Sequence, residues 1–271
     1  MTSERYLITN KIDESGAHKL NVILTAKHIT GNLVQQDVQK ITAIFSEELH
    51  PSIGFSKQVL EIIAALRLKN KPAITVVSAT ENFQLVPKSL FMEEEVKRYL
   101  PLEANPIHVI SESLDVANQD LVTCYEIAPY LSTQLVQDQA EVQWKHISTL
   151  MISRCLQKAE SKTLQIFAHL EPGQLFVTIL SHNKLKFYNQ FQIEQPADFL
   201  YYLLGIYETQ SISFDSAKLW LSGELNVDDE YHLLAHNYFG KVQLLRDADA
   251  LEGALGEQRT HRFALLSNPH L

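Results

Sequence analysis

Apolar and polar positions along the chain fall into two successive blocks with the same order of elements. In the second block, Thr163 to Leu170 (Thr-Leu-Gln-Ile-Phe-Ala-His-Leu) predicts a strand. It is closed by Glu171-Pro172-Gly173, where Pro followed by Gly suits the central positions of a type II turn. Gln174 to Leu180, rich in Leu, Phe, Val and Ile, predicts a second strand, and after the polar reversal Ser181-His182-Asn183 the alternation over Leu185 to Ile193 predicts a third. Pro196, tolerated at a first helical position, opens a helix to Thr209 with Phe199, Tyr202, Leu203, Ile206 and Tyr207 at helical spacing. Ala217 to Leu221 then predicts a short strand ending in Ser222-Gly223, Asp228-Asp229 start a helix that runs through Phe239 to a stop at Gly240, and Val242 to Leu245 predicts a last strand.

The first block follows the same order with weaker signals. Lys19 to Ala26 predicts a strand, Gly31-Asn32 a turn, and Val38 to Phe45 the third strand of a meander. Phe55 to Leu68 predicts a helix with Val59, Ile62, Ile63 and Leu66 on one face, and after Pro72 the β-branched run Ala73 to Val77 predicts a buried strand. Between the blocks, Leu121 to Ile127 and Val142 to Ile147 predict strands, Pro129 starts a short helix, and Ser148 caps a helix over Thr149 to Ala159 that leads through Glu160-Ser161-Lys162 into the second block. The tail beyond Arg246, with Gly253 and Gly256, predicts little regular structure. The two blocks match in element order, not residue by residue, and predict an α/β chain with mixed sheets and two lobes, residues 1–147 and 148–271.

Composition narrows the classes of function. Among 271 residues, 23 Lys and Arg stand against 32 Asp and Glu, a formal net charge of −9, and the densest basic spot is only Arg67, Lys69 and Lys71. That balance argues against a nucleic-acid partner, which would need clustered cations. No stretch approaches the roughly 20 apolar residues of a membrane helix, and Met1 to Arg5 lead into no apolar signal core, so a cytoplasmic location without membrane insertion is expected. Cys124 and Cys155 sit among apolar residues without a CxxC spacing and predict buried, reduced thiols.

A repeated order of meander, helix and strand is that of the ribonuclease H-like fold shared by actin, sugar kinases and the type IV pilus assembly protein PilM. Four segments carry a closer resemblance: Phe83-Gln84-Leu85-Val86-Pro87 with Leu90-Phe91, Phe199 to Leu204, Leu219-Trp220-Leu221-Ser222-Gly223-Glu224, and His261-Arg262-Phe263. In their order along the chain they resemble a bacterial domain-of-unknown-function family, number 3822, of the actin-like ATPase superfamily. The resemblance implies a duplicated ribonuclease H-like motif in an actin-like ATPase fold, with no established activity.

Such a fold, when it hydrolyses ATP, holds phosphate between two hairpin turns bearing Asp near Gly, since a carboxylate must organise magnesium while bare backbone approaches phosphate. Here Lys19 to Gln36 contains no acidic residue. In the second hairpin Glu171 is a methylene longer than Asp, and Pro172 removes a backbone donor beside Gly173. On the adenosine side, the strand ends Ser222-Gly223-Glu224 with one glycine, readable as a tight turn or as residual nucleotide binding, and Glu224 adds negative charge. Glu171, Gly173, Ser222 and Gly223 therefore mark a vestigial cofactor site, with no catalytic residue and no metal ligand assigned.

Other constellations favour bland readings. His232 and His236, four apart with Asp228 a turn earlier, share a helix face but lack the Glu of a zinc protease, and read as solvated. The Glu93-Glu94-Glu95 run suits a helix N-terminus, and Tyr201, Tyr202 and Tyr207 suit a core boundary. The expectation is a cytoplasmic bacterial adaptor with degenerate phosphate loops and no bound cofactor, engaging a protein partner or a second copy of itself. The rival is a nucleotide-binding protein or ATPase using ATP and magnesium, with an acidic ligand from Asp115, Asp120 or Glu171.

Overall fold

The computed structural model describes residues 8–9, 12–50, 54–101, 108–114, 119–127, 142–160, 163–246 and 257–267. The expectations for Pro129, Asp115, Ser161, Lys162, Gly253, Gly256 and the first five residues lie outside these. The chain divides into two compact units between Leu150 and Met151.

The first unit is built on a six-stranded sheet. Its strands are β1 (Ile8–Thr9), β2 (His18–Leu24), β3 (His28–Gln35), β4 (Lys40–Glu48), β5 (Ala73–Ser78) and β9 (Val142–His146), in the order β1-β4-β3-β2-β5-β9. β2, β3 and β4 form an antiparallel meander, while β5 runs parallel to both β2 and β9. Helix α1 (Phe55–Ala65) lays Phe55, Val59 and Ile62 on Leu20, Val22, Leu33 and Val76, giving an apolar core under one face of the sheet. The helix ends at Ala65, short of Leu68, because Arg67 takes a positive φ of 53° and leaves helical geometry.

The meander corrects the predicted turn at Gly31-Asn32, which lies inside β3. A Cβ on Gly31 would stand 2.3 Å from the Phe45 ring and 2.5 Å from the Asn21 carbonyl oxygen, so the glycine serves close packing within the sheet. Asn32 is buried and accepts a 2.9 Å hydrogen bond from the Asn21 amide. The turns fall elsewhere: at Thr25, whose backbone N–H donates to the His28 carbonyl and whose hydroxyl accepts from the N–H groups of Lys27 and His28, and before Lys40, where Gln39 has φ 50°. Val38, expected in the third strand, is exposed in this second turn.

Between β5 and β9 the chain forms a separate three-stranded sheet, of which the hydrophobic pattern predicts only the central strand, over Leu121 to Ile127. Its strands β6 (Phe83–Pro87), β7 (Val109–Leu114) and β8 (Leu121–Glu126) are antiparallel in the order β6-β8-β7. Val86, Leu100, Val122 and Cys124 make a small core of its own. Phe83 stacks on the buried ring of His146 at 4.5 Å between centroids, joining this sheet to β9. Helix α2 (Ile147–Lys158) follows β9 directly, so Ser148 is its second residue and not its cap; the hydroxyl instead lies 2.7 Å from His146 Nδ1.

The second unit repeats the arrangement with a five-stranded sheet. β10 (Leu164–Glu171), β11 (Gln174–Ser181) and β12 (Lys184–Gln192) form the meander, and β13 (Lys218–Gly223) and β14 (Val242–Leu244) add in parallel, in the order β12-β11-β10-β13-β14. Helix α3 (Pro196–Thr209) starts with a capping box between Gln195 and Asp198 and Pro in its first turn. Its Phe199, Leu203, Ile206 and Tyr207 pack on Ile166, Val177 and Leu219. Helix α4 (Glu230–Tyr238) is capped by the Asp229 carboxylate, which accepts from the His232 N–H at 3.0 Å. Among the described residues no helix is long and apolar enough to cross a membrane.

Candidate functional site

The four residues marked in the sequence come together at one end of the second unit's sheet. Parallel pairing of β10 with β13 sets His169 opposite Ser222 and Leu170 opposite Gly223. Glu171 closes β10, and Gly173 has φ 82°, the value the third position of a type II turn requires. The Gly173 carbonyl accepts the N–H of Ile193 at 3.0 Å, fixing the turn against the end of β12.

A residue missed in the sequence links them. The His169 ring lies with Nδ1 2.9 Å from Ser222 Oγ and Nε2 3.1 Å from Glu171 Oε1. With Nε2 protonated, the ring donates to the carboxylate and accepts from the serine hydroxyl. All three side chains are buried: His169 is 1% exposed, Ser222 4% and Glu171 7%. Serine, histidine and a carboxylate are also the residue types of a nucleophile, its base and an orienting group. Here the hydroxyl is enclosed, and the three satisfy one another as a buried polar network.

Gly223 is the second fixed point. Its φ is 92°, and a Cβ there would stand 1.9 Å from the Leu170 carbonyl oxygen, so β10's own backbone fills the space the glycine leaves. The same carbonyl accepts the Glu224 N–H at 2.7 Å. The Glu224 side chain forms an ion pair with Arg262, and the adjacent His261 Nε2 lies 2.8 Å from the Leu225 carbonyl oxygen. Arg154 of α2 holds the following stretch by donating to the Ala264 carbonyl at 3.1 Å and to Ser267 Oγ at 2.7 Å. Thus the His261-Arg262-Phe263 segment of the family resemblance closes over the end of β13, next to the strand segment of that resemblance.

The first unit holds the other described acidic candidate, Asp120. The first hairpin turn, Thr25-Ala26-Lys27, carries no carboxylate. Asp120 is exposed before β8, and its carbonyl accepts the Lys88 N–H at 2.8 Å. His232 and His236 have ring centroids 4.4 Å apart, with His232 Nδ1 accepting the Asp228 N–H at 3.3 Å. Among the described residues no group of three or more His, Cys, Asp or Glu side chains is placed to hold a metal ion. Cys124 and Cys155 are both buried and unpaired, as expected. Tyr207 is fully buried, whereas Tyr201 is 72% exposed, further out than a core boundary.

Solved structures with this architecture are numerous. A Bacteroides thetaiotaomicron protein with actin-like ATPase fold and unknown function superimposes with a TM-score of 0.75 at 16% identity, over 97% of this chain and 100% of that one. A PilM-PilN type IV pilus biogenesis complex matches at 0.65 and 12% identity, over 95% and 98%. The ethanolamine utilization protein EutJ from Carboxydothermus hydrogenoformans matches at 0.50 and 10%, over 96% and 92%. No curated protein matches the sequence. Residues 8–242 match the family described as protein of unknown function DUF3822, and the chain belongs to that family and has the actin-like ATPase fold.

Proposed function

We propose that this protein is a non-catalytic member of the actin-like fold that works by binding another protein in the cytoplasm. The observation that carries the reading is the Glu171 carboxylate, which is buried and bound to His169. A magnesium nucleotide needs a carboxylate free to order the ion and its waters, and phosphoryl transfer needs that charge placed beside the reacting phosphate. Glu171 is already spent inside the fold, the first hairpin turn has no acidic residue, and the space at Gly223 is filled by the Leu170 carbonyl. The residues present therefore do not fit magnesium and ATP. The match to a PilM-PilN complex supports a protein partner by fold analogy, and two unpaired buried thiols support a reducing compartment.

Titration calorimetry with Mg-ATP tests the reading. A flat trace at millimolar nucleotide is expected. Saturable heat that disappears in Glu171→Gln would overturn it. Crosslinked capture from native lysate is expected to return a stoichiometric protein, and a lone, uncrosslinked chain would count against a partner.

A further inference from the structure

The second unit carries an open groove of about 540 Å3 between β12 and α3. Phe187 and Phe191 line it from the strand, and Tyr201, Tyr202, Gly205 and Glu208 from the helix. Phe191 stacks on Tyr202 at 4.5 Å, and Tyr201 stands edge-on to Tyr202 at 5.4 Å. Tyr201, Gly205 and Glu208 are spaced i, i+4 and i+7, which makes one outward stripe on α3.

Two features of that stripe meet no partner among the described residues. A Cβ built on Gly205 meets nothing within 4 Å, so internal packing does not require the glycine, although glycine weakens a helix interior relative to alanine. What its bareness provides is a bed between Tyr201 and Glu208. The Glu208 side chain is exposed and has no hydrogen-bond or ion-pair partner among the described residues. Among the described residues it is the one charged side chain lining the groove.

We propose that this groove docks a short segment of a partner protein that carries an arginine. The guanidinium lies over Gly205, between the Tyr201 ring and the Glu208 carboxylate, and a neighbouring aliphatic side chain of the segment packs on Phe187 and Phe191. An unpaired carboxylate beside an exposed aromatic ring selects a cation, and the flat, forked guanidinium serves both partners at once where a lysine ammonium serves one. Charge also favours a foreign segment over a second copy, which would bring a further formal charge of −9 toward an acidic groove. The inference rests on the protein-binding reading and gives it a surface and a partner chemistry.

Panning phage-displayed random nonapeptides against the full chain tests it. The enriched sequences are expected to hold an arginine with an aliphatic residue within two positions. A synthetic peptide of that consensus should bind Gly205→Leu and Glu208→Lys at least tenfold more weakly than the parent, and replacing its arginine by glutamate should restore binding to Glu208→Lys. Far-UV circular dichroism confirms that both variants fold; should Gly205→Leu fail, the charge exchange at Glu208 decides alone. Absence of enrichment, a consensus without a basic residue, unchanged affinity for the variants, or a dimer in light scattering that Gly205→Leu dissolves would each overturn the proposal. A lysate partner captured equally by the parent and Gly205→Leu would defeat the groove and leave the protein-binding reading standing, whereas Mg-ATP binding would defeat that reading itself.

Discussion

His169 holds Glu171 at 3.1 Å with its other ring nitrogen 2.9 Å from Ser222, so the carboxylate at the end of β10 is an internal hydrogen-bond acceptor. Replacing the imidazole leaves a buried carboxylate with its donor gone. His169→Leu should lower unfolding free energy by roughly 2–4 kcal/mol, whereas Glu171→Gln, which keeps an acceptor oxygen for Nε2–H, should stay within about 1 kcal/mol. Equilibrium urea unfolding of the two variants checks the contrast, and equal losses would contradict the role given to the imidazole donor.

Two glycines separate backbone necessity from open space. At Gly223, with φ 92° and the Leu170 oxygen 1.9 Å from the Cβ position, alanine must displace β10, and Gly223→Ala should cost at least about 3 kcal/mol. At Gly205 nothing lies within 4 Å, so Gly205→Ala should stabilise the chain by about 0.5–1 kcal/mol through helix propensity. Thermal melts should move in opposite directions.

Burial drives the pKa of His146 down from 6.5 to about 4, against a smaller opposing effect of its bond to the Thr80 carbonyl. Between those values the unfolded chain binds a proton that the folded chain refuses, so this histidine makes stability fall as pH drops through that window. Glu112, whose carboxylate accepts the His146 backbone N–H, has its pKa raised by burial and slopes the opposite way above pH 4.5. Burial also lowers the pKa of His261, which adds to the histidine slope. The clean comparison is therefore with His146→Phe, which keeps a ring against Phe83. From pH 7 to 4 the parent should lose on the order of 3 kcal/mol more than the variant in urea unfolding. Parallel pH profiles would contradict the assignment.

Burial pushes the thiol of Cys155 up to about 12 and that of Cys124 up to about 11. Neither supplies thiolate near neutrality. Iodoacetamide at pH 8 should leave both unmodified in the native protein and label both in denaturant, as read by intact mass. Rapid native labelling would place a thiol at the surface.

The sheet of the second unit was legible because β10 and β11 are runs buried along almost their whole length, β12 alternates, and the turns are written in strong residues, Pro172-Gly173 among them, with Pro196 opening the next helix. The three-stranded sheet was not. β7 alternates half-buried and exposed positions with Ser and Glu among them, and β6 and β8 pair across a long stretch of chain, so no local run reveals them as partners. Gly31 misled because a glycine beside an asparagine also writes a turn, and only the overlying Phe45 ring explains it. In the site, Glu171, Gly173, Ser222 and Gly223 were found by their place after predicted strands. His169 had one signal, its spacing of two from Glu171 on a strand, which puts both on one face. Its link to Ser222 depends on the parallel register of β10 and β13, which the residues alone do not state.

The most direct test is a crystal soaked in millimolar magnesium and a nonhydrolysable ATP analogue. Glu171 is expected still bound to His169, with neither nucleotide nor metal beside the Pro172-Gly173 turn. Glu171 swung onto an ordered magnesium ion under a bound triphosphate would contradict it.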